Sequence, residues 1–298
     1  VHLFECRKST FDDVLQESVI TLSRRSAKKT SSVRITTSHN RDIPACPPIL
    51  QVPKKLIIDE EQNDWLLNIP TSEVEAELLA MVNKWTFRFS EIGLKVSTGP
   101  VVTFRVKEFL LENLTEKNYV PLIAPHNVKL FNIEWPIKRT TKPIAFLSSP
   151  ESKKHLVPTQ NYVLLRRFTA KEEKRRLVAS CFFASSLKAP LLAIENHVNY
   201  IYHSTRKLSD VETVGIASLL NSNLFDTYFR ILSGNTQVNA TELRMMKFPS
   251  LDTLAAIGEK VTKLDGYPST EIENLLLTEL KVTGLLKRHF TERTIEQS

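Results

Sequence analysis

The chain has 298 residues, 42% hydrophobic and 24% charged, with 40 lysines and arginines against 33 aspartates and glutamates, a net charge of +7 at pH 7. Such a composition belongs to a globular protein with one large core or two ordinary ones. No apolar run reaches bilayer-spanning length and no signal peptide is present, while Cys6, Cys46 and Cys181 lie far apart in no paired spacing. A membrane protein, a disulfide framework and a cysteine-rich zinc site are thereby disfavoured, and a cytoplasmic protein with three buried cysteines is expected.

The chain opens at Val1 and its first methionine is Met81, which reads as a fragment or a processed chain. Asp13 to Leu22 and Ser32 to Thr37 are rich in β-branched residues and read as strands, joined as a hairpin through the basic turn Arg24 to Lys29. Ser38 to Lys55 is polar and proline-rich, so it reads as a connection. Thr71 or Ser72 caps a helix whose first turn carries Glu73 and Glu75, where the macrodipole favours anions. Val74, Leu78, Leu79, Val82 and Trp85 recur at helical spacing, and Phe87, Phe89 and Ile92 continue the apolar pattern to a stop at Gly93.

Charge concentrates in the middle of the chain. Between Trp65 and Ser209 there is no aspartate, and 21 lysines and arginines face 12 glutamates, a net of +9, so the flanks together are slightly acidic. A concentrated positive field suits a polyanion, whose condensed counterions are released on binding. A solvated basic surface is the plainer alternative.

Within this block Leu94 to Phe104 reads as strand, turn at Thr98-Gly99-Pro100, and strand. Pro121 to Ala124, Ile144 to Leu147, Tyr162 to Leu165 and Leu177 to Phe183 are further short strands of a twisted mixed or antiparallel sheet. Glu151-Ser152-Lys153 has the acidic-x-Lys form of a nuclease, but no aspartate between Trp65 and this point supplies the second metal-binding carboxylate, although Glu134 is available. Arg166, Arg167, Lys171, Lys174, Arg175 and Arg176 stand against Glu172 and Glu173 alone. They read either as phosphate contacts or as an exposed turn with internal ion pairs. Glu195, His197 and Asn199 would share one strand face, as a satisfied polar cluster rather than a metal site.

The last third is helical. Asp210 caps a very apolar run to Leu232, interrupted at Asn221-Ser222, where Ser222 caps the second piece. Gly234 ends it, and Asn239 with Glu242 forms a capping box for a short helix that Pro249 limits. Thr253 to Leu264 and Thr270 to Leu280 are amphipathic helices. The polar tail from Lys287 is expected to fray. The fold class is therefore α+β, a mixed or antiparallel twisted sheet followed by a small helical bundle.

Gly234-Asn235-Thr236-Gln237-Val238-Asn239, with Leu243-Arg244 and Phe248-Pro249-Ser250, resembles the C-terminal part of adenine-specific DNA methyltransferases of bacterial restriction-modification systems. So do, in the family's order, Phe11 to Glu17, Ser97 to Arg105, Asn161 to Leu164, Phe168 to Arg176 and Glu195 to Tyr200. The resemblance implies duplex DNA as partner, an upstream methyltransferase domain, and S-adenosylmethionine as cofactor of the parent enzyme, with no cofactor in this chain. The family's methyl-transfer motif is Asn or Asp, then Pro-Pro, then an aromatic residue; Cys46-Pro47-Pro48-Ile49 has neither the acceptor nor the ring. The seven glycines form no Gly-x-Gly turn either. Residues 1–55 would follow the catalytic domain, 56–207 would recognise the target, and 208–298 would form the helical region. The six cations of 166–176 would hold phosphates, with Arg105, Lys107 and Gln237 reading bases from sheet loops. Thr236, Gln237 and Asn239 could contact DNA or simply shape the loop. A non-catalytic specificity subunit of a multi-subunit restriction system is the alternative, and a protein-interaction module with an incidental basic face is a third reading.

Overall fold

The structure, a computed structural model, describes residues 1–4, 18–28, 30–39, 42–59, 66–137, 140–169, 173–232 and 237–297. It is α+β, as expected, and its middle is layered. A four-stranded antiparallel sheet runs in the order Ala179–Phe182, Tyr162–Arg166, Val198–His203, Leu94–Thr98. Alternation along its strands splits the side chains between two faces. Val163, Leu165, Ala179, Cys181, Ile201, Leu94 and Val96 face the helices, in the main core. Tyr162, Leu164, Phe182 and Val198 face Ile123, Val157, Leu192 and Ile194 of a second sheet. That outer sheet has the order Leu156–Pro158, Leu191–Ile194, Tyr119–Ile123, Ala145–Leu147, Leu110–Leu111, parallel between its second and third strands and antiparallel elsewhere. Each aliphatic or aromatic side chain fully buried between layers contributes roughly 1.5–3 kcal/mol.

The helix Glu73–Val82 starts where its cap places it, the Ser72 hydroxyl accepting from the Glu75 N–H at 3.2 Å. It ends ten residues short of Gly93, because Phe87–Arg88 instead pairs as a strand with Lys247–Phe248. The helix Asp210–Leu220 is buried on every side from Glu212 onward. Its cap is Ser209, in a full capping box with Glu212, rather than Asp210. Ser222 caps the next helix, Asn223–Leu232, accepting from the Phe225 N–H at 3.0 Å.

Gly215 and Gly258 make the closest helix crossing possible. A Cβ on Gly215 would overlap the Leu254 carbonyl oxygen, and one on Gly258 would overlap that of Val211. Gly258→Ala must therefore push Leu251–Val261 off Asp210–Leu220. A loss of about 3 kcal/mol is expected in urea denaturation, and an unchanged midpoint would show that the two helices do not depend on this close crossing.

The bundle also holds a buried acid. Glu273, from the helix Ser269–Glu279, accepts from the N–H groups of Asn223 at 2.8 Å and Leu224 at 3.2 Å, capping the neighbouring helix from outside. Burial pushes its carboxyl from 4.5 up to about 7, against the pull of those two N–H bonds and of Arg175 and Arg293. The folded chain then binds this proton more tightly than the unfolded chain does. The stability it supplies is full below pH 4.5 and is lost as pH rises through about 7. Glu273→Gln keeps an acceptor but removes the proton. Denaturant midpoints of the parent chain should decline between pH 4.5 and 7, and those of the variant should not.

Three expectations at the ends of the chain change. The two N-terminal strands do not form a hairpin, because His2–Phe4 lies between Ser18–Ile20 and Ser32–Ser38, antiparallel to the first and parallel to the second. His2, Leu3 and Phe4 are buried there, and His2 bonds the hydroxyls of Thr36 and Ser38. The supposed connection contains a strand, Leu50–Pro53, paired with Ser32–Ser38, and one helical turn, Lys54–Ile57. The tail does not fray but is helical over Gly284–Gln297, since Leu286, Phe290 and Thr294, four residues apart, are buried. Among the described residues, no helix is long and apolar enough to cross a membrane.

Candidate nucleic-acid interface

Antiparallel pairing decides where the basic segments meet. Tyr162–Arg166 and Leu94–Thr98 end, and Ala179–Phe182 and Val198–His203 begin, at the same end of the central sheet. Beyond that end come Gly99 to Lys107, Arg167-Phe168, Lys174 to Arg176, and Glu195 to His197. These are the segments that the sequence singled out, up to about a hundred positions apart. Gln237 and Val238 join them. The Val238 N–H donates to the Arg167 carbonyl at 2.7 Å, Phe168 bridges Gln237, and Asn199 donates to the Val238 carbonyl at 2.8 Å.

Close backbone contact fixes this arrangement. The N–H of Asn196 donates to the Val101 carbonyl at 2.8 Å, and that of Val101 to Ile194 at 3.0 Å. Gly99 lies so near the Glu195 backbone that a Cβ would overlap it. Glu195 and His197 do not share a strand face with Asn199. They flank a turn, paired at 2.9 Å between Glu195 Oε1 and His197 Nδ1, while Asn199 is buried in the strand and accepts from Thr98 at 3.0 Å. The cluster is satisfied and polar, as expected. Burial pushes the Glu195 carboxyl up, with the His197 pair and Lys142 pulling the other way.

The cations divide by role. Arg105 and Lys107 are exposed, with the Arg105 guanidinium 5.3 Å from the centre of the Phe104 ring. Arg167 donates to the Asn196 carbonyl at 3.1 Å and to Gln237 Oε1 at 3.3 Å, and lies over Phe168. Arg166 points to the opposite face of the sheet and donates to the Val128 carbonyl at 2.9 Å. Together with Lys129, Lys174 and Arg175 it lines a cleft of about 480 Å³, which also holds Glu173. Arg175 is tied to the Asn221 carbonyl. Asn239 is exposed and caps Ala240–Met245, accepting from the Thr241 N–H at 3.1 Å, so its oxygen is already engaged; the expected reciprocal box with Glu242 is a one-sided cap. Lys171 and Thr236, like the likeness over Phe11 to Glu17, lie outside the described residues.

Arg176 is the correction. It is fully buried, its guanidinium lies 5.4 Å from the centre of the Phe229 ring, and its Nε donates to Thr169 at 3.3 Å. A side chain so enclosed cannot reach a phosphate. The buried carboxylate of Asp226 holds the segment in place, its Oδ1 accepting from the N–H groups of Arg176 at 2.7 Å and Leu177 at 2.8 Å.

Sequence reading missed His126, Lys129 and Lys142, which lie apart from the marked cation run. His126 follows the strand Tyr119–Ile123, and both lysines lower its pKa, after burial itself. Lys142 and His126 line a pocket with Lys107 and Glu195, and Lys129 lines the cleft with Arg166. Other cations lie elsewhere. Lys95, Arg206 and Lys207 stand at the opposite end of the sheet, where Arg206 forms a two-armed pair with Glu212 at 2.6 and 2.8 Å. Among the described residues, no three of His, Cys, Asp and Glu converge to hold a metal ion.

Comparison with known proteins gives two close likenesses. The type II methyltransferase M.PstI of Providencia stuartii is 36% identical over 288 residues, 95% of this chain and 55% of that protein. The type II methyltransferase M.BsuBI of Bacillus subtilis is 35% identical over 280 residues, 93% of this chain and 55% of that protein. The chain thus spans about half the length of the curated relatives it matches. No family model matches it. Among solved structures, the type IIG restriction endonuclease BpuSI aligns with a TM-score of 0.45 and 10% identity, over 92% of this chain and 41% of its own. The type IIL restriction-modification enzyme MmeI, solved in complex with DNA, aligns with a TM-score of 0.42 and 11% identity, over 90% and 38%.

Proposed function

We propose, on the premise that this chain is kin to the C-terminal part of type II methyltransferases, that it is the DNA-recognition region of an adenine-specific enzyme of a restriction-modification system. The observation that carries this is the gathering of Gly99 to Lys107, Arg167-Phe168, Lys174-Arg175, Glu195 to His197 and Gln237 at one end of one sheet. Exposed cations there, Arg105, Lys107 and Lys174, are suited to phosphates, so Arg105 and Lys107 are assigned to the DNA backbone in place of the base reading expected from the sequence. Arg167 and Gln237 hold each other in place, which presents their remaining donors in a set geometry for base edges.

In this reading residues 56–207 read the site, and residues 208–298 act as a buttress, sharing one core with the sheet. Residues 1–55 would link to the methyltransferase domain, in the cytoplasm. The methyl donor, S-adenosylmethionine, belongs to that domain.

The test is the salt dependence of duplex binding by the full chain, followed by fluorescence anisotropy. The logarithm of the association constant should fall against the logarithm of salt by about 0.9 for each phosphate contacted, with a total slope well beyond that of two contacts. A flat response between low and moderate salt would end the proposal.

A further inference from the structure

Phe104 leaves 67% of its surface in solvent, and the Arg105 guanidinium lies 5.3 Å from the centre of its ring. It lines a pocket of about 380 Å³ together with Lys107, His126, Lys142 and Glu195. Glu195 is only 8% exposed and keeps its place through His197. A carboxylate in this position spoils the pocket for a bare phosphate, which it would repel. Two lysines at the lining spoil it for a simple cation. The arrangement suits one molecule that donates a hydrogen bond, offers a flat ring and carries a negative charge a few ångströms away. A nucleotide of cytosine or adenine does all three. Its exocyclic amine donates, its ring stacks on an aromatic face, and its phosphate seeks lysine. A base inside a duplex cannot enter a pocket, so the base must be unpaired.

We propose that this pocket holds an unpaired, amino-bearing nucleobase, with its ring against Phe104, its amine toward Glu195 and its phosphate between Lys107 and Lys142, a step that takes the source of the base from the nucleic-acid reading above. Thymine and uracil, with a carbonyl where cytosine has its amine, would set oxygen against the Glu195 carboxylate. A free mononucleotide carries the same chemistry as an extrahelical base in DNA, and the two sources separate in the test.

The full chain is titrated with a labelled duplex and with the same duplex carrying one bulged cytosine, adenine or thymine. Bulged cytosine and adenine should bind about tenfold more tightly than the paired duplex, as one stacked base predicts, and bulged thymine should show no gain. Phe104→Ala should return that ratio to about one. Glu195→Gln, which can donate as well as accept, should make the three bulges alike. Phe104 is exposed, so its variant keeps the test decisive if the Glu195 variant fails to fold. Equal binding of paired and bulged duplexes, or a gain that survives Phe104→Ala, overturns the pocket but not DNA binding. If no duplex binds even at low salt, the DNA reading fails, and the pocket is judged with millimolar dCMP and dTMP by protein NMR. Shifts at Phe104 with dCMP alone support a free nucleotide; shifts with both or with neither overturn the pocket as well.

Discussion

Replacing Arg105, Lys107 and Lys142 together with alanine should weaken duplex binding by roughly 10²- to 10³-fold at 0.1 M salt and flatten the salt slope by about three units. The size follows from counterion release, in which each lost phosphate contact removes about 0.9 from the slope and close to a tenfold factor at that salt. All three side chains are exposed, and among the described residues no buried hydrogen bond depends on them, so the folded state should persist. The loss should be the same on a cognate and a scrambled duplex, because phosphate contacts position without reading sequence. Lys95→Ala, at the opposite end of the central sheet, is the control and should leave both affinity and slope alone. If the control matched the triple variant, positive charge in general would be responsible rather than this end of the sheet.

Asp226→Ala should lower stability by about 3–5 kcal/mol, the range for breaking a buried charged network. Asp226 is 1% exposed and serves three donors, with Oδ1 taking the N–H groups of Arg176 and Leu177, and Oδ2 taking Arg230 Nε at 2.8 Å. Alanine leaves those two N–H groups without their acceptor and removes the negative charge that faces Arg230. Asparagine keeps one oxygen for the two N–H groups and gives up only the charge, so Asp226→Asn should lie well between alanine and the parent in chemical denaturation. Stability of folding itself is about 5–15 kcal/mol, so the alanine variant should be near its threshold at 37 °C. Equal midpoints for all three proteins would mean that the segment carrying Lys174 and Arg175 is not held by this acid. That segment lines the cleft with Arg166 and Lys129, so under the proposed function the same variant should also weaken duplex binding.

Much of this protein was readable in advance because the signals were local. Ser72 and Ser222 cap helices that begin where the sequence places them, since a cap joins groups only two or three residues apart. The strands around Tyr162 to Leu165 and Ala179 to Phe182 were visible because β-branched and aromatic residues cluster there between turn residues. The basic block itself was a matter of counting. Even the helical tail left a trace, in Leu286, Phe290 and Thr294, but its polar average hid three buried positions.

What sequence could not settle was partnership at a distance. Alternation shows that Arg166 and Arg167 point to opposite faces, yet only the strand order reveals that one face meets helices and the other a second sheet. Arg176 reads like its neighbours and is buried because Asp226, fifty residues later, seizes its backbone. Lys129 and Lys142 come to line pockets with Arg166 and Lys107 through the packing of the outer sheet, as His2–Phe4 enters the N-terminal sheet through a parallel match with Thr36 to Ser38. Caps, periods and charge counts depend on neighbours a turn away and are written into the chain. Which face is covered, which cation stays wet and which separated segments share a surface depend on contacts across tens of residues, and only the packed molecule chooses among them.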